Sequence, residues 1–250
     1  MPRAARPGKA AVATTLPGTG IKARAPAVAK LTLGIDEAGR GPAIGPLVMG
    51  AVALDSKAAA ALSRAGLRDS KSYGAGEAAH AIRCELAAKI RERATFVHTI
   101  VVEHHAVDLR VARKELNVLE RELATEMIEA APAVDRIIAD GKRMFQPLGL
   151  RYPNFESHDH VEDFHAAVAA ASVVAKVLRD QRFHEICARY SPEFGAISGG
   201  GYANAGTRKF IRAFAERYGR LPDEARRTWP HPYVADLVPE ADLSPQLAMF

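Results

Sequence analysis

The sequence predicts an α/β fold in which helices flank a mixed sheet, and two observations lead to this prediction. Strand-like segments alternate with helical segments after an initial pair of strands, which is the pattern of a sheet covered by helices. The 250 residues, of which 48% are apolar, are enough for one sizeable domain rather than two. No stretch approaches the roughly 20 consecutive apolar residues that a membrane helix needs, so we expect no contact with a membrane.

The first two strands are predicted from neighbouring segments. Residues 31–36 alternate apolar with small or polar side chains, which is typical of a strand. Residues 47–54 are apolar and are expected to form a second strand, antiparallel to the first. Glycines and prolines between residues 39 and 46 predict a turn-rich loop that joins the two strands.

The other strands come later in the chain. Residues 95–102 have the composition of a third strand, and residues 136–140 predict a buried strand that ends on an acidic residue. The irregular stretch 142–159 is expected to contain a short strand near its end.

Helical spacing of apolar residues marks four further segments. They are residues 76–93, residues 111–131, an Ala-rich stretch within residues 161–190, and residues 207–218. The residues from 221 onward are punctuated by prolines and are expected to be irregular.

The two ends of the chain differ from the middle in composition. Residues 1–29 are rich in Ala, Pro, Gly and Thr without any period, which predicts a disordered basic tail. We expect a folded domain over residues 30–235, with a helical C-terminal part, and an irregular tail over residues 236–250. Only two cysteines occur, Cys84 and Cys187; their wide separation indicates reduced core residues and a cytoplasmic protein.

The charge of the chain is unevenly distributed. The net charge is +5, and residues 1–30 carry six basic residues and no acidic residue, so the remainder carries −1. A basic arm on such a domain is compatible with a nucleic-acid enzyme whose site needs carboxylates. It is equally compatible with a solvated tail that only aids solubility.

Acidic residues close two of the predicted strands. Asp36 and Glu37 end the first strand, and Asp140 ends the strand over residues 136–140. Open α/β sheets place their sites at the carboxyl ends of strands, and these carboxylates converge if the two strands are parallel neighbours. Clustered carboxylates resist joint ionisation, and a divalent cation relieves that repulsion. Oxygen ligands favour Mg²⁺ or Mn²⁺ over zinc.

The adjacency of Asp36 and Glu37 leaves one question open. Strict alternation along a strand sends neighbouring side chains to opposite faces. Either the strand ends at Asp36, or Glu37 contributes partly through its backbone. Each acid taken alone also has the simpler interpretation of a solvated surface residue.

Several sequence blocks together resemble one family. They are GIDEAGRGP at residues 34–42 with GPL at 45–47, RDSK at 68–71, AASVVAKV at 170–177 with Arg179 and Asp180, GGGY at 199–202, Thr207, and RRTW at 226–229. In order and spacing they resemble ribonuclease HII, in its archaeal and eukaryotic branch, over residues 31–230. The resemblance implies a ribonuclease H-like five-stranded mixed sheet with a helical C-terminal extension.

The resemblance also implies a set of metal ligands. Asp36, Glu37 and Asp140 match three of the four metal-binding acids of the family, which use two Mg²⁺ or Mn²⁺ ions. The fourth acid is normally an Asp ten residues before the serine of the AAS block, where this chain has Glu162. We expect Glu162 to be the fourth ligand, with Asp163 second and Asp159 third. A glutamate at this place resembles ribonuclease HIII instead.

The substrate contacts follow from the same resemblance. The turn of Gly39, Arg40 and Gly41 is expected to sense the 2′-hydroxyl that separates RNA from DNA, and Tyr202 to stack under the sugar of the ribonucleotide. Phosphate contacts are expected from three further side chains, which are Lys71, Ser172 and Lys176. For Lys176 an ion pair with Asp180, four residues later on the same helix face, is an equally good interpretation.

The activity that the resemblance implies is cleavage of the RNA strand of RNA–DNA hybrids and of duplex DNA that contains single ribonucleotides, as in ribonucleotide excision repair. Water would attack phosphorus on the 5′ side of the ribonucleotide and leave a 3′-hydroxyl and a 5′-phosphate. The enzyme is expected to act as a monomer in the cytoplasm. Two alternatives remain: a ribonuclease HIII-like preference for longer RNA stretches, which Glu162 and His165 favour, and a hybrid-binding module without catalysis, against which the three acids argue.

Overall fold

A five-stranded mixed sheet in the order β3-β2-β1-β4-β5 forms the centre of the fold. The strands are β1 Leu31–Ala38, β2 Leu47–Asp55, β3 Phe96–Val102, β4 Arg136–Asp140 and β5 Phe155–His158. β1, β2 and β3 are antiparallel neighbours, whereas β1, β4 and β5 run parallel. The predicted α/β fold with a mixed five-stranded sheet is therefore confirmed.

The computed structural model describes residues 30–68, 70–74, 76–161 and 165–243. The predicted basic tail over residues 1–29 lies outside the described residues. So do residues 244–250 of the predicted C-terminal tail. Within the described ranges, no helix is both long enough and apolar enough to span a membrane.

Helices cover both faces of the sheet. They are α1 Ser56–Arg64, α2 Glu77–Arg93, α3 His104–Ala112, α4 Leu116–Ala130, α5 Lys142–Phe145, α6 Ala166–Phe194, α7 Ala205–Tyr218 and α8 Glu240–Leu243. Leu33 and Ile35 of β1 share one core with Leu123 and Met127 of α4. Alternate residues face α6, where an added Cβ on Gly34 would lie 2.1 Å from the backbone of Ala167.

Two predicted helices differ from the observed ones. The segment predicted as one helix over residues 111–131 is divided between α3 and α4, because Lys114 has φ of 61° and right-handed helix cannot continue through that conformation. The Ala-rich helix begins at Ala166, where the His165 side chain accepts a hydrogen bond from Ala167 N, and continues to Phe194. α1, which was not predicted from the sequence, begins where Asp55 accepts a 2.6 Å hydrogen bond from Ala58 N.

The C-terminal part forms a separate hydrophobic core against the second half of α6. Phe183 and Ile186 of α6 pack with Phe210 and Phe214 of α7. Ile44, from the loop between β1 and β2, is fully buried in the same cluster. This packing brings the residues after α7 back to the loop that follows β1.

A pair of charged side chains joins β4 to β5. Arg136 donates to both carboxylate oxygens of Glu156, at 2.8 and 2.7 Å, and this contact is the largest cause that lowers the pKa of Glu156 to about 2. Because the folded pKa lies below the ordinary value of 4.5, the pair stabilises the protein above pH 4.5. That stability is lost as the pH falls toward 2.

We expect Glu156→Gln to lower the free energy of unfolding at pH 7 by about 0.5 kcal/mol, since exposed ion pairs are weak. Both side chains are more than 40% exposed. Urea denaturation of the variant and the parent chain at pH 7 and pH 2 measures this. The difference should be present at pH 7 and absent at pH 2, and an equal difference at both values would contradict the assignment.

Candidate active site

Asp36 and Asp140 stand at equivalent places on adjacent parallel strands. In the register of β1 with β4, Ile35 is opposite Ala139, so the next residue on each strand is one of the two acids. Side chains two residues apart on a strand share a face, so Asp36 lies on the same face of β1 as Gly34, which packs against Ala167 of α6. Asp140 lies on the same face of β4 in the register of the two strands. The condition on which the sequence prediction depended, that the two strands are parallel neighbours, is met.

The carboxylate of Asp36 is buried and only 6% of the residue is exposed. Burial raises the pKa of Asp36 well above its ordinary value, and the negative charges of Glu37 and Asp140 raise it further. Hydrogen bonds from the Ser172 side chain and from Glu37 N lower this pKa, but by less. Two neighbouring carboxylates therefore act directly on Asp36, as a convergent acidic site requires.

Glu37 lies on the opposite face of β1 from Asp36. The strand continues to Ala38, so the possibility that it ends at Asp36 is wrong. Glu37 is on the same face of β1 as Leu33 and Ile35, which is the face that packs against α4. Its charge raises the pKa of Glu120, a residue of α4. Glu37 thus reaches the acidic end of the sheet from the side of α4.

The donor set fits a hard divalent cation. Asp36, Glu37 and Asp140 offer only carboxylate oxygens, which Mg²⁺ and Mn²⁺ prefer, and a bound cation would offset the repulsion that raises the pKa of Asp36. Among the residues that the structure describes, no three Asp, Glu, His or Cys side chains form a complete cation site by themselves. The predicted fourth ligand, Glu162, and its alternative, Asp163, lie outside the described residues.

The third alternative for the fourth ligand, Asp159, lies within the described residues, directly after β5. Its carboxylate accepts a 2.8 Å hydrogen bond from Lys142 N at the start of α5. His165 is the N-cap residue of α6 and lines a cavity of about 200 Å³ with Lys30 and Thr32. That cavity is at the beginning of β1, whereas Asp36 is near its end.

The turn after β1 requires glycine. Gly39 has φ of +86°, and a Cβ there would lie 2.5 Å from the carbonyl oxygen of Pro46, so a larger residue would be strained and would clash. A Cβ on Gly41 would lie 3.6 Å from the ring of Tyr202. The turn and the tyrosine that the sequence predicted as substrate contacts are therefore neighbours.

The side chain of Arg40 is turned toward α4. It donates to the carboxylate of Glu120 and to Asn117 Oδ1 at 2.6 Å. Glu120 is fully buried, and burial raises its pKa to about 7 in spite of the nearby Arg40 guanidinium. The buried acid holds the arginine of the turn in one orientation.

Glu120 was missed by the sequence analysis, although a signal was present. It lies four residues after Leu116 and three before Leu123, which is the helical spacing of the inner face of α4. An acidic residue within such an apolar stripe indicates a buried partner. The partner, Arg40, is 80 residues away in the chain, so its identity could not be read from the pattern.

Tyr202 stands at the rim of the site, and 47% of the residue is exposed. The guanidinium carbon of Arg179 lies 5.9 Å from the ring centroid, within the range of a cation–π contact. Arg179 is itself buried and donates to the carbonyl oxygen of Ile44 at 3.3 Å. One face of the Tyr202 ring thus packs against Arg179 of α6, while the rest of the side chain stays accessible.

Ser172 and Lys176 lie on α6 beside the acids. The Ser172 hydroxyl is buried and forms a 2.9 Å hydrogen bond with Ser70 Oγ. Lys176 forms an ion pair with Asp180, as one of the two sequence interpretations expected. α6 begins six residues before Ser172, so its first-turn amides are not at this serine. The side chain of Lys71 lies outside the described part of the chain.

A family model described as ribonuclease HII matches residues 33–231. The chain belongs to the ribonuclease HII family. The family resemblance inferred from the sequence blocks is therefore confirmed. This ribonuclease HII is a ribonuclease H, a metal-dependent endonuclease, with activity on the RNA strand of RNA–DNA hybrids.

Curated relatives agree with this assignment over most of their length. The ribonuclease HII of Pyrobaculum arsenaticum is 39% identical over 199 residues, which cover 78% of this chain and 91% of the relative. The ribonuclease HII of Pyrococcus horikoshii is 32% identical over 206 residues, which cover 78% of this chain and 88% of that protein.

Solved structures share the fold. The ribonuclease H2 of Pyrococcus horikoshii matches with a TM-score of 0.68 and 27% identity over 80% of this chain and 94% of its own. The Archaeoglobus fulgidus ribonuclease HII, solved in a complex with PCNA, matches with a TM-score of 0.66 and 29% identity, over 82% of this chain and 96% of its own. A ribonuclease HIII solved with Mn²⁺ matches with a TM-score of 0.61, over 85% of this chain and 71% of its own. Its identity of 21% supports the fold alone.

Proposed function

We propose that this ribonuclease HII cuts on the 5′ side of single ribonucleotides embedded in duplex DNA, and that it also cuts the RNA strand of hybrids. Hydrolysis would leave a 3′-hydroxyl and a 5′-phosphate. The observation that carries the proposal is the placement of Asp36 and Asp140 at matching ends of two parallel strands, where β1 leads into a glycine turn that lies beside Tyr202.

The proposed ligands are Asp36, Glu37, Asp140 and Glu162, which would hold two Mg²⁺ or Mn²⁺ ions. When bound, such a pair of ions supplies an activated water, neutralises the phosphate and stabilises the leaving oxygen. Val161 N donates to Asp140 Oδ1 at 3.1 Å, and Glu162 is the next residue in the chain. This contact brings the residue before Glu162 to Asp140, which supports a fourth ligand from this segment, and by the resemblance we propose Glu162, with Asp163 as the alternative.

The substrate strand would be positioned by residues on either side of the acids. Gly39, Arg40 and Gly41 would sense the 2′-hydroxyl, and the exposed ring of Tyr202 would stack under the ribose. A 2′-deoxyribonucleotide offers no hydroxyl to the turn, which gives a physical basis for sparing DNA.

The scissile phosphate would be bound by Lys71, Ser172 and Lys176. Asp180 neutralises only part of the charge beside Ser172, because Lys176 and Arg83 both contact it. The cluster therefore keeps a net positive charge that attracts a phosphate. The Ser172 hydroxyl would link this cluster to the metal ligand Asp36.

We propose a monomeric enzyme, as the family resemblance implies, whose catalytic domain spans residues 30–235. The basic tail over residues 1–29 would add contacts to the nucleic-acid backbone, which weaken as the salt concentration rises.

Duplexes of one sequence test the substrate proposal. With Mg²⁺ or Mn²⁺, we expect a DNA duplex with one ribonucleotide to be cut 5′ of that residue, an all-DNA duplex to stay intact, and EDTA to stop cleavage. A duplex with four consecutive ribonucleotides serves as the comparison. Failure to cut the single ribonucleotide, together with cleavage of the four, would contradict the proposal and favour the ribonuclease HIII-like preference.

A further inference from the structure

The three carbonyl groups of the glycine turn are all bound by the segment that follows α7. Arg226 donates from Nη2 to Gly39 O at 2.5 Å and from Nη1 to Arg40 O at 2.9 Å. Trp229 donates from Nε1 to Gly41 O at 3.1 Å. Two side chains from the C-terminal part therefore hold three consecutive carbonyl oxygens beside the acids.

The guanidinium of Arg226 is dedicated to this loop. It is fully buried, its Nε donates to Gly45 O at 3.0 Å, and it lies 4.8 Å from the centroid of the Trp229 ring. Burial lowers its pKa to about 10. No carboxylate in the described ranges forms an ion pair with it, and a buried charge without such a partner is costly unless its hydrogen bonds are satisfied. An apolar side chain would fill the same space at lower cost, so packing alone does not account for an arginine here.

The segment that carries these two side chains is itself anchored. Asp108 accepts hydrogen bonds from Arg227 N at 2.8 Å and from Thr228 N at 3.0 Å. Arg226 N donates to Ala43 O at 2.8 Å. The arginine and the tryptophan therefore hold the turn from a fixed support.

Because peptide units are planar, holding the carbonyl groups of the turn also sets the direction of its N–H groups. In a trans peptide the C=O and the following N–H point in opposite directions. Holding the carbonyls of Gly39 and Arg40 toward Arg226 aims the N–H groups of Arg40 and Gly41 away from it. Within the described part of the chain, neither N–H donates to a protein acceptor, and Gly41 faces the ring of Tyr202.

We propose that Arg226 and Trp229 are positioning residues for ribose discrimination: they fix the Arg40 and Gly41 N–H groups as donors to the 2′-oxygen of the ribonucleotide. This rests on the proposed function, in which the turn senses the 2′-hydroxyl. It adds which distant side chains set the direction of those donors.

Trp229→Phe is the sharpest test, because it removes the hydrogen bond to Gly41 O and keeps an aromatic ring beside Arg226. Affinities for a duplex with one ribonucleotide and for the same duplex without it are measured with Ca²⁺ in place of Mg²⁺, and the samples are checked for cleavage. We expect the preference for the ribonucleotide duplex to fall by about fivefold, the size of one lost hydrogen bond. Arg226→Lys, which can satisfy fewer of the carbonyls, should reduce it further.

Tyr218→Phe is the matched control. It removes an aromatic hydroxyl at the end of α7 whose hydrogen bonds, among the described residues, go to Glu193 of α6, and it should leave the preference unchanged. If Trp229→Phe lowers the melting temperature but keeps the full preference for the ribonucleotide duplex, the two residues are only structural and the inference is wrong. If the parent enzyme itself shows no preference and does not cut the single ribonucleotide, the proposed function fails instead. Should Arg226→Lys not fold, the Trp229→Phe result decides alone.

Discussion

Replacing Asp140 with Asn is expected to reduce metal-dependent cleavage by at least about 1000-fold, because the charge of a proposed ligand, which would hold the cations against the phosphate, is lost. The substitution preserves the shape of the side chain, and the asparagine Oδ1 can still accept the hydrogen bond from Val161 N. The loop after β5 should therefore keep its position. Binding of an RNA–DNA hybrid should be largely retained.

The same variant makes a prediction about stability. The charge of Asp140 is one of the causes that raise the pKa of Asp36, so its removal relieves repulsion in the metal-free protein. We expect the melting temperature without metal to equal or exceed that of the parent chain. The rise in melting temperature on adding Mn²⁺ should become smaller or disappear, because ligand binding stabilises only the form that binds.

Asp159→Asn is the control for this experiment. Asp159 directly follows β5, which runs parallel to β4, but its carboxylate accepts a hydrogen bond from Lys142 N, and an asparagine oxygen can do the same. Cleavage by Asp159→Asn should stay close to that of the parent enzyme. Unchanged cleavage by Asp140→Asn would show that the catalytic site has been misassigned.

Replacing Gly34 with Ala is expected to lower the free energy of unfolding by about 3 kcal/mol or more, at the upper end of overpacking effects. The added Cβ would lie 2.1 Å from the carbonyl carbon of Ala167 and 2.3 Å from Val168 N. These are backbone atoms and cannot rotate away. β1 and α6 would have to separate, and the helix that carries Ser172 would move away from Asp36.

Gly149→Ala is the matched substitution for the stability measurement. Its Cβ would lie 4.0 Å from the nearest atom, the carbonyl oxygen of Phe155, and residue 149 is exposed. Urea denaturation should find it within about 0.5 kcal/mol of the parent chain. A Gly34→Ala protein as stable as Gly149→Ala would mean that α6 does not pack directly on β1.

The parts of the fold that depend on short-range patterns could be predicted from the sequence. Period-two alternation located β1, and the acid at the end of the buried run located Asp140 on β4. Parallel pairing then brings Asp36 beside Asp140, because residues at the same strand end share an edge. Alternation also placed Asp36 and Glu37 on opposite faces, and the structure keeps both near the acidic end.

The parts that the sequence analysis missed depend on contacts between distant segments. The break between α3 and α4 occurs at Lys114, an ordinary helix former whose conformation is set by its surroundings. Glu120 and Arg226 act through Arg40 and its neighbours, 80 and 186 residues away in the chain. No local propensity encodes such partners, although an acid in an apolar helical stripe indicates that one exists.

Diffraction from crystals soaked in Mn²⁺, with a bound duplex that contains one ribonucleotide, tests the central claim most directly. Anomalous scattering should locate two ions about 4 Å apart between the carboxylates of Asp36, Glu37 and Asp140, with the phosphate 5′ of the ribonucleotide against them. The same map would show whether Glu162 or Asp163 completes the site. Manganese bound elsewhere, or a duplex whose ribonucleotide lies away from Asp36 and Asp140, would contradict the account.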